Sequence, residues 1–121
     1  MLQKLANLMK MNGANVMQVT VKNKQTDEVI AEGQIPNNVF KFEGNWYFDE
    51  EKVDMANLQV TERTYTCSYK GTCFWVDLTT PAGTVQSVGW VYREPKDGYE
   101  NIKDRIAFYA GTRQGTIAIA E

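Results

Sequence analysis

Between residues 67 and 75 the chain sets two thiols, a phenol, an amine and an indole within nine positions, in the run Cys67-Ser68-Tyr69-Lys70-Gly71-Thr72-Cys73-Phe74-Trp75. Lys70 stands beside a glycine in a segment that reads as a turn. A lysine desolvated by aromatic neighbours can lose its proton and attack a carbonyl, or keep it and bind an anion. Anion or substrate binding is the stronger of the two, because the ammonium ordinarily keeps its proton. Cys67 becomes a nucleophile only as thiolate, and that needs Lys70, Arg93 or a run of backbone amides to lower its pKa. Its commoner use is as a small buried hydrophobe. A Cys67–Cys73 disulfide requires the turn to bring the two directly opposite, and reduced thiols are the expectation in a reducing compartment.

A second cluster, Trp90-Val91-Tyr92, follows fifteen positions later. Side chains alternate along a strand, so Trp90 and Tyr92 share a face, as do Cys73 and Trp75. If Thr79-Thr80-Pro81-Ala82-Gly83 turns one strand into the other in simple register, those faces coincide or oppose. Together with Tyr69, Phe108 and Tyr109 they form an aromatic set. Aromatic walls with a few polar tips suit a small flat or cationic ligand, although core packing is the more frequent use of such residues. The candidate ligand-binding residues are therefore Tyr69, Lys70, Trp75, Trp90 and Tyr92, and the candidate catalytic groups are Cys67 and Lys70.

Absences narrow the chemistry. The 121 residues include no histidine, which removes the Ser-His-Asp triad, the Cys-His pair and histidine-containing zinc sites. Two cysteines are too few for a four-cysteine metal site. Asp49-Glu50-Glu51 with Asp54 lacks the alternating oxygen spacing of a calcium loop, and Gly111-Thr112-Arg113-Gln114-Gly115 lacks the lysine of a phosphate loop. Neither a metal nor a cofactor is expected. Thirteen Lys and Arg against fifteen Asp and Glu give a net charge of −2, which disfavours nucleic acid. No apolar run approaches the roughly 18 residues of a membrane span, and Lys4 and Lys10 interrupt any signal-peptide core. The expectation is a cytoplasmic protein with a small-molecule partner. Self-association, as a homodimer through a strand edge or through Leu2, Leu5 and Leu8, is compatible with the sequence.

The elements that must hold these residues are mostly strands. Leu2, Leu5, Leu8 and Met9 predict a short amphipathic helix ended near Gly13, within an extension of residues 1–15. From Val16 onward the period is two. Val16–Val21 and Glu28–Glu32 predict one hairpin, Val39–Phe42 and Trp46–Phe48 a second joined at Glu43-Gly44-Asn45, with Asp49 capping an acidic turn through Lys52. Leu58–Thr61 and Arg63–Thr66, then Thr72–Leu78 and Thr84–Tyr92, follow, the last pair forming a central hairpin. Tyr99–Lys103 predicts a helical turn, Ile106–Tyr109 a strand, Gly111–Gly115 a hairpin loop and Thr116–Ile119 a last strand. Eight or so short strands without a βαβ rhythm indicate one mainly β domain over residues 16–121.

Four of these segments resemble one family taken together. Residues 66–75 are similar to the Cys-Pro-Tyr-Lys-Gly-x-Ala-x-Tyr/Trp pattern of the domain-of-unknown-function family 427. Gly89-Trp90-Val91-Tyr92-Arg93-Glu94-Pro95 resembles its Ala-Trp-x-Tyr-x-x-Pro segment. Ile102 through Tyr109 resembles its Ile-x-x-x-Val-Ala-Phe-Tyr segment, and Trp46 through Val53 its Tyr-Tyr-x-Pro-x-x-Asp-Val. Ser68 stands for the family's proline, Cys73 and Gly89 for alanines, and Asp49 and Lys52 for a proline and an aspartate. The resemblance implies a β-tent-like fold of two antiparallel sheets, without the paired Cys-x-x-Cys zinc site of some relatives, and it assigns no activity. A lysine in the family pattern at position 70 strengthens a site role there. The leading expectation is a small-molecule-binding module. The alternatives are a transferase or hydrolase using Cys67 or Lys70, and a structural or interaction domain.

Overall fold

The computed structural model describes residues 17–121, so the expected N-terminal helix and the whole 1–15 extension lie outside the described residues. Nine strands form two antiparallel sheets. The smaller has the order β2-β1-β9, from β1 (Met17–Asn23), β2 (Val29–Ile35) and β9 (Thr116–Ala120). The larger has the order β3-β4-β8-β7-β6-β5, from β3 (Val39–Phe42), β4 (Asn45–Phe48), β5 (Leu58–Cys67), β6 (Gly71–Thr80), β7 (Gly83–Val91) and β8 (Ile106–Phe108). Leu58–Thr61 and Arg63–Thr66, read separately above, are one strand. Residues 111–115 fold back through an isolated Thr112–Ile117 bridge, yet the strands they join belong to different sheets.

Period-two alternation in the larger sheet builds two apolar layers from the same strands. Trp46, Phe48, Val76, Val91, Ile106 and Phe108 face the smaller sheet and pack with Val19, Val21, Ile30 and Ala31 as the inner core. Tyr47, Cys73, Trp90, Tyr92 and Ala107 face the other way and form an outer layer with Phe40, Phe42, Trp75 and Tyr109. Burial of the outer layer comes from the chain after β7. Asp104 N–H donates to the Tyr92 carbonyl at 2.9 Å, and this return path lays Ile102 and Tyr99 over the aromatic face. The helical turn expected near Tyr99–Lys103 is the 3-10 turn Glu100–Ile102 that places them.

Two irregularities set the register of the centre. Between Val60↔Val76 and Thr64↔Phe74, three residues of β5 face one of β6. Between Val76↔Gly89 and Leu78↔Val85, three residues of β7 again face one. Both bulges close on Asp77, which is 8% exposed. Its carboxylate accepts from Arg63 at 2.8 and 2.6 Å and from the Ser87 backbone N–H at 2.9 Å. The second bulge puts Trp75 directly opposite Trp90, and by continuation Cys73 shares their face with Tyr92. The faces coincide.

Asp49 does not cap the Glu50–Lys52 turn through its side chain. Its carboxylate is instead ion-paired to Arg105, whose guanidinium lies 4.7 Å from the Phe40 ring centroid. An arginine arriving from 56 residues away offers the carboxylate a stronger donor than a local amide.

Candidate ligand pocket on the outer aromatic layer

Where the covering segment stops, the outer layer stays open as a concavity of about 210 Å³ lined by Glu43, Asn45, Tyr47, Tyr65, Lys70, Cys73, Trp75, Trp90, Tyr92 and Tyr109. Its walls are rings set edge to face: Trp75 to Trp90 with centroids 6.1 Å apart, Tyr47 to Trp90 at 6.1 Å, and Trp90 to Tyr109 at 4.9 Å. Such T-shaped contacts hold ring orientation as well as burying area. A larger depression, about 380 Å³, lies at the far end of the β6–β7 hairpin among Lys24, Gln25, Thr80, Thr84 and Gln114. It has no aromatic wall and no thiol, so the chemistry is concentrated in the smaller space.

Lys70 is delivered by the β5–β6 turn. Cys67 pairs with Gly71, which leaves Ser68, Tyr69 and Lys70 as the loop. Gly71 has φ +107° and its Cα side faces the Glu94 carbonyl, where a Cβ would approach to 3.3 Å. The loop is clamped from the same segment: Lys96 N–H donates to the Lys70 carbonyl and Lys96 Nζ to the Ser68 carbonyl, both at 2.9 Å. Lys70 is thereby tucked in, its side chain 16% exposed, and ion-paired to Glu43. Glu43 sits in the two-residue turn Glu43-Gly44 between β3 and β4, with φ of +50° and +83°; both angles positive is the geometry that matches hairpin twist. The ammonium also lies 5.7 Å from the Tyr92 ring centroid and 6.0 Å from that of Phe42.

Burial pulls the Lys70 pKa down, but the Glu43 hydrogen bond and the surrounding negative charge outweigh it and the net shift is upward. Lys70 therefore keeps its proton more firmly than a free lysine, which suits an anion site and opposes amine attack. Burial raises Tyr47, Cys73 and Tyr92. These groups stay neutral near pH 7 and act as hydrogen-bonding tips. Trp90 Nε1 donates to the Tyr47 hydroxyl at 3.0 Å.

Of the residues singled out from sequence, Lys70, Trp75, Trp90 and Tyr92 line one space. Tyr69 does not: it is 73% exposed. Alternation fails inside a turn, so Tyr69 points to solvent while its neighbour turns inward. Phe108 lies in the inner core against Phe48, ring centroids 5.9 Å apart. Cys67 is half-buried and outside the lining, and both cysteines are free. They are not opposite, since Cys73 pairs with Tyr65 and Cys67 with Gly71; a diagonal pair stands too far apart for a disulfide. Glu43, Asn45, Tyr47 and Tyr65 were not anticipated. The Trp46-Tyr47-Phe48 alternation could have placed Tyr47 opposite its neighbours, but nothing local ties Glu43 to Lys70.

The Lys70 and Tyr69 backbone amides lower the Cys67 pKa against a smaller opposing effect of burial, and the Lys70 charge adds to them. In the native protein iodoacetamide at neutral pH is expected to alkylate Cys67 first, with buried Cys73 slower by about ten-fold or more. Peptide mass spectrometry over a time course checks the order, and equal rates would contradict it.

Among the described residues no group of three or more Cys, Asp or Glu is arranged to hold a metal ion, and no helix is long and apolar enough to cross a membrane. No curated protein matches the chain significantly. The family model described as Domain of unknown function (DUF427) matches residues 14–118. That span takes in every residue of the pocket and both sheets almost to the last strand's end, and the chain belongs to the DUF427 family.

Proposed function

We propose that the chain is a small-molecule-binding module whose ligand enters between Tyr65, Trp75, Trp90 and Tyr109, with Lys70 and Tyr92 at the polar end. One observation carries this reading. The outer face of the larger sheet is built of aromatic residues as a core would be, yet its cover ends short of Tyr65, Trp75 and Tyr109. A layer that served packing alone would be covered or polar. Rings fixed edge to face offer large contact area at little entropic cost, and the tyrosine hydroxyls and Lys70 orient what they hold.

The enzyme alternative has one observation in its favour, the lowered Cys67 pKa, and one against it, the position of Cys67 outside the lining. A structural or interaction role has no comparable feature among the described residues. Two free thiols suit a reducing, cytoplasmic setting, and the two antiparallel sheets are compatible with a β-tent-like arrangement.

A fragment screen of small planar compounds by protein NMR tests the reading. Hits should shift the indole signals of Trp75 and Trp90, and Trp75→Ala should weaken them by about ten-fold. Trp75 is half-buried, so this variant is expected to fold. Hits that shift neither indole, or that bind Trp75→Ala unchanged, would overturn the proposal.

A further inference from the structure

We infer that the pocket is built for a compact planar anion, an aromatic or heteroaromatic carboxylate, which Lys70 grips by exchange for Glu43. This rests on the binding-module reading and adds the charge and polarity of the ligand.

Apart from Glu43 and the two-way hydroxyls of Tyr65, Tyr92 and Tyr109, the hydrogen-bonding capacity left over in the lining is that of donors. The Tyr47 oxygen accepts from Trp90 Nε1, and its own hydrogen has no acceptor among the described residues. Asn45 Oδ1 accepts from the Ala110 N–H at 3.4 Å, which leaves its amide hydrogens free. Lys70 carries three N–H donors and gives one to Glu43; the Trp75 indole N–H has no partner among the described residues. A ligand that satisfies this set must bring acceptors, and buried donors left unmatched are costly.

Charge argues the same way. The faces of Tyr92 and Phe42 would attract a cation, but Lys70 already stands over both. A second cation there meets like charge. The counter-ion, by contrast, is replaceable. Lys70 is 16% exposed and Glu43 53%, so the cation is held within the protein and the carboxylate reaches it from solvent at the tip of a turn. Glu43 occupies the place that a ligand carboxylate would take. About 210 Å³ equals roughly seven waters at about 30 Å³ each, the scale of one ring with a carboxylate, and flat walls favour a flat ring.

Three probes of nearly equal shape that are negative, neutral and positive separate the possibilities: benzoate, benzamide and benzamidinium, titrated against the full chain by calorimetry and tryptophan fluorescence. Benzoate is expected to bind more tightly than benzamidinium by about ten-fold or more. Glu43→Gln removes the competing carboxylate and should strengthen benzoate binding by about three-fold or more, whereas a cation cage would lose affinity from the same change. Lys70→Met should weaken benzoate by about ten-fold, with Lys70→Arg retaining most of it. Each variant's thermal unfolding establishes that it is folded. Equal binding of benzamide and benzoate, preference for benzamidinium, or weaker benzoate binding in Glu43→Gln overturns the anion assignment and leaves the binding module standing. No binding by any of the three, together with an empty fragment screen, overturns both.

Discussion

Asp77→Ala is expected to lower unfolding free energy by about 2 kcal/mol, because it removes a buried carboxylate that serves as acceptor for the Ser87 amide and for the part-exposed Arg63 guanidinium. Asp77 is the meeting point of both central bulges. Arg63 reaches it from β5 with two hydrogen bonds and the Ser87 N–H reaches it from β7. Ser87 itself has φ +58°, a conformation a serine keeps only when its neighbours hold it there. Alanine leaves that amide without an acceptor and the bulge without its tie. The damage extends to the pocket. Continued straight from Thr80↔Gly83, the register would set Trp75 against Val88; the bulge brings Trp90 there instead.

The same residue shapes acid stability. The Arg63 guanidinium, with the Ser87 amide, holds the Asp77 pKa below the usual 3.8, against the opposing effect of burial. A carboxylate whose folded pKa is depressed contributes fully above its unfolded pKa, and that contribution is lost as pH falls through the folded value. Wild-type protein should therefore lose stability below about pH 4, and Asp77→Ala should show less of that decline. Urea unfolding at pH 7 and pH 3, with near-ultraviolet circular dichroism for the tryptophans, measures both effects. A variant within about 1 kcal/mol of wild type at pH 7 would show that the bulges stand without Asp77.

The bulges also explain which parts of the site could be read from sequence. Each inserts two extra residues on one strand, and a shift of two preserves side-chain parity. The shared face of Cys73, Trp75, Trp90 and Tyr92 was therefore legible from alternation alone, while the partner of each residue was not. Hairpins at Glu43-Gly44 and Pro81-Ala82 were legible because their turn residues are local signals. Tyr69 was misplaced because alternation does not extend through a three-residue turn. The Lys70–Glu43 pair spans 27 positions and depends on two turns arriving side by side, a tertiary fact with no local trace. Asp77 carries no local sign that its carboxylate is buried and pins the register, because Arg63 and Ser87 reach it from other strands.

Gly89→Ala carries the other large expected effect, and it separates two reasons for a glycine. Gly44 has φ +83° with nothing within 4 Å of where a Cβ would stand, so alanine there costs about 1 kcal/mol of backbone strain. Gly89 has no such angle. A Cβ at Gly89 would lie 2.4 Å from the Ala107 carbonyl oxygen, and that oxygen cannot rotate away, because β8 is paired on both sides, to β7 and to β4. Relief requires β7 and β8 to separate at a strand only three residues long. The loss should reach about 3 kcal/mol. Residue 89 is alanine in the pattern this chain resembles, and here the glycine stands against the Ala107 carbonyl, next to Trp90 of the pocket layer. Thermal unfolding of Gly89→Ala and Gly44→Ala side by side gives the answer: the first should melt lower by about 10 °C or more and the second by only a few degrees. Equal losses would mean that β7 and β8 can part without penalty, and the close approach would then have no role in fixing the Trp90 wall.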